Sequence, residues 1–136
     1  MATRNRTRAL RLGAVYALSV FAAGFMLGAL RTLVIAPRTG DLAAVLIELP
    51  VILGVSWLVF GALVRRENAL PMAARWRVAL SAFLVLMALD LALSALIAEG
   101  GVRGFIASWH TLPGAIGLAG QAAFALIPLI HPAARN

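Results

Sequence analysis

Four apolar runs, each about as long as the hydrocarbon core of a bilayer, constrain this chain more than any other feature. A membrane-spanning helix needs about 20 consecutive, mostly apolar residues. Leu12–Ile35, Leu42–Val64, Trp76–Ala98 and Leu112–Ile130 meet or approach that length. The 136 residues are 62% hydrophobic and only 12% charged, whereas an ordinary soluble domain is about half apolar and about a quarter charged. A soluble fold of this size would lack the polar surface to cover itself. The expected fold is therefore all-α: one integral membrane domain over residues 1–136, a transmembrane four-helix bundle with consecutive spans antiparallel.

Short polar segments punctuate the runs. Pro37 and Gly40 mark the first connection, with Asp41 placed to cap the second helix. Arg65–Asn68 and then Pro71 separate the second span from the third, and Gly100, Gly101 and Gly104 separate the third from the fourth. Thr111 followed by Pro113 reads as a helix start. Val102–Trp109 is apolar for a connection. It reads either as a short helix on the membrane surface or as a loop packed over the bundle mouth. Four arginines precede the first run, as in a signal peptide, but that run is long enough to span and reads as an uncleaved helix.

All twelve basic residues are arginine, and the net charge is +7. Most flank the apolar runs, so membrane orientation accounts for them and nucleic acid is not an expected partner. Nine lie in the N-terminal tail, the Arg65–Arg77 segment and the C-terminal tail. Only Arg38 and Arg103 lie on the other side. The positive-inside rule places both termini in the cytoplasm.

Each apolar run also carries one strongly polar residue: Arg31, Glu48, Asp90 and Gln121. At 1.5 Å rise per residue, antiparallel spans set them ~7, ~9, ~12 and ~14 Å below the outer end of the bundle, in one layer. Helical spacing puts Arg31 on a stripe with Gly13, Ala17, Gly24 and Gly28, and Gln121 on one with Gly114, Gly117 and Ala125. Small residues mark helix contacts in membranes, so both polar groups are expected on packed faces. Pro50 cannot donate to the carbonyl of Leu46, which leaves an acceptor near Glu48.

The layer holds one cation against two acids. Glu48, nearest in depth and on the adjacent hairpin, is expected to pair with Arg31. Asp90 is then left without a cation and becomes the acid expected to hold a proton or meet a cationic ligand. Intramembrane ionisable groups are functional candidates by default, so the four residues form the candidate ligand-binding site. The same four can equally serve as structural glue between helices.

Little else carries chemistry. There is no cysteine. His110 and His131 are expected on opposite sides of the membrane, and no metal-ligand spacing, nucleophile–base pair or phosphate-cradling loop is visible, so no cofactor is expected. Tyr16 and Trp57 fall in the other half of the bundle, as packing residues or as pocket lining.

Gly24-Phe-Met-Leu-Gly28-Ala-Leu-Arg31 resembles the start of small four-helix fluoride channels. That family's asparagine in the second helix and its Phe/Thr/Ser track in the third are absent, so no residue role carries over. Small multidrug exporters are similar in size and plan, but their glutamate lies in the first helix, where this chain has Arg31. Gly28-Ala-Leu-Arg31, Glu48-Leu-Pro50 and Gly117-Leu-Ala-Gly120-Gln121 resemble a group of small four-span bacterial membrane proteins to which no activity is attached. That resemblance implies a bacterial inner membrane and groups Arg31, Glu48 and Gln121 together.

Three functions stay open. The layer could bind or transport a small molecule, lipid or ion, with protons coupled. The chain could be an accessory or assembly subunit of a larger membrane complex, or a homodimer, with stripes such as Ala115, Ala119 and Ala123 as docking surfaces. A membrane enzyme has least support, because no catalytic set is visible; acid chemistry by Glu48 and Asp90 on a lipid is the route it would have.

Overall fold

A computed structural model describes residues 2–135, and the described chain is helical almost throughout. In hydrocarbon no water pairs with exposed backbone groups, so a spanning segment must satisfy them within itself, as a helix does. Helix α1 (Ala2–Leu30) passes into a wider π-helical turn at Arg31–Ile35 and then into α2 (Ala36–Thr39). After Gly40 come α3 (Asp41–Val64), α4 (Met72–Ile97), the short α5 (Gly101–Ser108) and α6 (Leu112–Ile130), closed by a 3₁₀ turn at Pro132–Ala134. Four helical stretches are long and apolar enough to cross a membrane: Thr3–Thr39, Asp41–Val64, Met72–Ile97 and Leu112–Ile130.

Three local details differ from the sequence reading. Pro37 does not end the first helix, which runs on to Thr39. A proline ring clashes with the carbonyl four residues back. Here the helix widens just before it, with the Ala36 N–H reaching the carbonyl of Arg31, and Pro37 falls in the first turn of α2, where its missing N–H is harmless. Side chains cover the loosened carbonyls: Arg38 Nη1 donates to Val34 O (3.1 Å) and Thr39 Oγ1 to Ile35 O (2.9 Å). Asp41 does not cap α3. Gly40 holds the cap position at φ 84°, without any side-chain bond, because a single-residue turn requires the left-handed region. Finally, α4 begins at Met72, four residues before Trp76, with extended Pro71 as its cap. The expected Thr111 cap is present and accepts from the Gly114 N–H at 3.2 Å.

The helices pack as a ring in the order α1, α3, α6, α4. Residue pairs give the directions. Arg8 meets Glu67 and Arg31 meets Glu48, so α1 and α3 are antiparallel. Arg75 meets Leu129 and Asp90 meets Gln121, so α4 and α6 are antiparallel. Gly13 sits against Val78 and Ser81, and on the opposite side of the ring Gly120 sits against Leu49 and Gly61 against His131. The α1–α4 and α3–α6 contacts are therefore parallel. Consecutive spans alternate in direction as expected, but the α3–α4 connection crosses the diagonal and joins two hairpins side by side.

Burial is uneven along the bundle axis. Tyr16, Ala17, Val20, Phe60, Val64, Val78, Ala82, Phe124 and Ile127 form a closed core in the half that holds both termini. Tyr16 stacks on Phe124 (centroids 4.4 Å apart) and meets Phe60 edge-on (5.2 Å). Large rings fill space that four helices of mostly Leu and Ala would leave open. The other half buries little beyond Ala44, Val45, Ser94 and Gly120. Its small residues are not all contacts: a Cβ added at Gly28, Gly54 or Gly117 would meet nothing within 4 Å. The small-residue stripes are thus used only in part. Gly13 and Ala17 are packed, Gly24 lies near Ile52, and Gly28 is open. On α6 the close approach falls at Gly120 rather than Gly117.

Candidate functional site

The structure joins the four layer residues as two pairs, one within each antiparallel hairpin. In the α1–α3 hairpin, Arg31 Nη1 lies 3.1 Å from Glu48 Oε2. Arg31 opens the π-helical turn, and one extra residue per turn changes the direction in which later side chains project. The Arg31 side chain keeps 36% of its exposure and Glu48 16%, so the pair sits at the bundle edge rather than at its axis.

In the α4–α6 hairpin, Gln121 Nε2 donates to Asp90 Oδ2. Neither ion pair among the described residues includes Asp90. Its carboxylate is therefore held by a neutral amide. The other amide atom, Gln121 Oε1, is buried with no hydrogen-bond donor. A buried acceptor without a donor forgoes its hydration and gains nothing in return, at about 1–3 kcal/mol. Leu49 and Gly120, the immediate neighbours of Glu48 and Gln121, touch across the parallel α3–α6 interface, which puts the two pairs at one level. All four residues are only partly buried, because the layer falls in the loosely packed half.

A protonated carboxyl would complete this geometry. Its hydroxyl would donate to Gln121 Oε1 while its carbonyl oxygen accepted from Nε2, so that acid and amide close a ring of two hydrogen bonds. A ligand ammonium or hydroxyl could supply the same missing donor. Among the described residues, no three His, Asp or Glu side chains converge as metal ligands would.

A second cluster lies at the opposite end, where the sequence placed Tyr16 and Trp57 as packing or pocket residues but did not show that His131 and the Phe124 carbonyl join them. Tyr16, fully buried, donates its phenol to the carbonyl of Phe124 at 2.9 Å. That carbonyl is free because residue 128, four positions on, is a proline without an N–H. His131 is 6% exposed, its ring tilted against Trp57 (centroids 4.3 Å apart, 43° between planes) and edge-on to Phe60 (5.5 Å). Its Nδ1 accepts from the Ala133 N–H at 3.2 Å. Burial, reinforced by the nearby Arg65 charge, pulls the imidazole below its ordinary pKa, against a smaller opposing effect of a bond to the Trp57 backbone.

Arg75 corrects a further expectation. Counted in sequence as one of the flanking charges, it is buried to 7% exposure. Its Nε donates to Leu70 O (2.9 Å), Nη2 to Ala134 O (2.9 Å) and Nη1 to Leu129 O (3.5 Å). The Leu70 N–H also bonds Ala134 O, at 3.0 Å. One guanidinium thus caps the C-terminal end of α6, where carbonyls lack partners and the helix dipole favours a cation. No local signal in the sequence marks Arg75 apart from its neighbours, since its acceptors at Leu129 and Ala134 lie more than fifty residues away.

No family model matches the chain, and no curated protein or solved structure matches it.

Proposed function

We propose that this four-span protein resides in a bacterial inner membrane, with both termini in the cytoplasm, and that its polar layer binds and passes a proton or a small donor-bearing solute at Asp90 and Gln121. The observation that carries this reading is the missing donor: Gln121 Oε1 is buried and unpartnered beside an acid with no cation. The Arg31–Glu48 pair supports it by balancing the layer's one cation with one acid, so that the second acid is the exchangeable one. The thin packing around the layer supports it too, since a site that exchanges its occupant needs a route in. The Arg distribution and the resemblance to small bacterial four-span proteins support the location.

The test is the pH-dependent infrared difference spectrum of the purified protein, wild type against Asp90→Asn and Glu48→Gln. A protonated-carboxyl band that changes with pH and disappears in Asp90→Asn alone is the expected result. Absence of any titrating carboxyl band, with both variants merely less stable, would sink the proposal and leave the layer as interhelical glue in an accessory subunit.

A further inference from the structure

A shallow groove of about 350 Å³ runs between α4 and α6 on the outside of the bundle, at the end that holds the termini. Its floor is Ala79 and Ala125, both buried, and the absence of larger side chains there is what makes the hollow. Leu80, Phe83 and Leu126 form its walls, and Leu80 and Leu126 remain 61% and 48% exposed. At the end nearest the start of α4 stand Trp76 and Arg77. Neither ion pair among the described residues includes Arg77. From Arg77 to Phe83 the groove follows α4 for ~9 Å, toward the middle of the span.

We propose that this groove is a binding site for one anionic phospholipid, with an acyl chain along Ala79, Phe83 and Ala125 and the headgroup phosphate on Arg77. Bulk lipid would cover any apolar face. What singles out an anionic lipid is the unpaired guanidinium at one end of an apolar groove that could seat part of an acyl chain, beside an indole of the kind that marks membrane interfaces. The surrounding charge is complementary. This end of the bundle carries nine of the twelve arginines and, of the five acids, only Glu67, which Arg8 already engages. Arginine also suits phosphate geometrically, since its planar fork can present two N–H groups to two oxygens. The site is separate from the polar layer, which lies in the other half of the span.

The experiment is competitive lipid retention. The full-length protein in detergent is equilibrated with equal amounts of phosphatidylglycerol and phosphatidylcholine bearing identical acyl chains, and bound lipid is counted by native mass spectrometry. Wild type should retain one phosphatidylglycerol in preference. Arg77→Gln should lower that preference about fivefold, from the ~1 kcal/mol that one basic residue contributes to anionic-lipid binding. Arg77→Lys should keep most of it, which separates charge loss from misfolding. Arg66→Gln, removing the same charge from an exposed site at the same end, should leave it nearly unchanged. Equal retention of the two lipids, or equal losses for Arg77→Gln and Arg66→Gln, would overturn the proposal. So would a lipid-free dimer, which would assign the groove to a second copy.

Discussion

The hydroxyl of Tyr16 donates to the carbonyl of Phe124 across the diagonal of the bundle, 2.9 Å away, at the one carbonyl that Pro128 leaves without its helical donor. Helices α1 and α6 are not ring neighbours, so this bond and the stacking of the two rings tie the hairpins together through the core. Interhelical hydrogen bonds in membranes average about 0.6 kcal/mol, and leaving the buried carbonyl unpaired raises the cost. Tyr16→Phe should therefore destabilise the protein by about 1 kcal/mol. In a Pro128→Ala background, where the restored N–H can take the Phe124 carbonyl, the same change should cost close to nothing. A double-mutant cycle of unfolding in detergent reads the difference, and additive losses would show that the two residues are not coupled.

Arg75 should be the most costly surface-sequence arginine to lose. Its head satisfies carbonyls of Leu70 and Ala134 and reaches that of Leu129 more weakly, and a hydrogen bond from a charged donor contributes about 1.5–3 kcal/mol net. Arg75→Met keeps the aliphatic stem and should still lower stability by about 3 kcal/mol, while Arg66→Met on the exposed loop stays within about 0.5 kcal/mol. Arg75→Lys should not rescue, because a compact ammonium cannot reach three separated carbonyls. Thermal unfolding of the three variants decides the matter.

Gly13 and Gly28 occupy the same stripe and should answer differently to a larger side chain. A Cβ at Gly13 would lie 2.6 Å from the carbonyl of Val78, a backbone atom that cannot swing aside, whereas at Gly28 it would meet open space. Gly13→Leu should cost at least the ~1–3 kcal/mol of an overpacked core, or abolish folding. Gly28→Leu should be tolerated within about 0.5 kcal/mol. Similar losses at the two positions would mean that the half of the bundle around the polar layer closes more tightly than the structure shows.

His131 predicts a pH dependence with a definite sign. Its imidazole is held below the ordinary value by burial, with Arg65 adding to the effect, so the unfolded chain takes up a proton at higher pH than the folded one. The stability it contributes is complete above the unfolded pKa of about 6.5 and is lost as pH falls from there through the folded pKa. Protonation would also remove the Nδ1 lone pair that accepts from Ala133. Melting temperature should fall between pH 7.5 and 5 in the wild type and fall less in His131→Asn. An identical slope in both would place the acid sensitivity elsewhere.

Sequence alone determined what depends on length and local chemistry. An apolar run of about 20 residues must be helical in lipid, so the four spans, the Thr111 cap and the break at Gly100–Gly101 were legible. The Arg31–Glu48 pair was legible too, because a tight hairpin leaves few registers, and depth along α1 and α3 chose the partner. The π-helical turn before Pro37 was not, because propensity rules end a helix near proline and do not say when it widens to accommodate one. Tertiary structure alone decided the order of the helices around the ring, which makes two interfaces parallel, and so decided which glycines are contacts. It also decided that Arg75 is buried while Arg66 is not. A charge in a short connection looks the same in sequence whether it meets water or the carbonyl ends of a neighbouring helix, and only the folded chain brings Leu129 and Ala134 to Arg75.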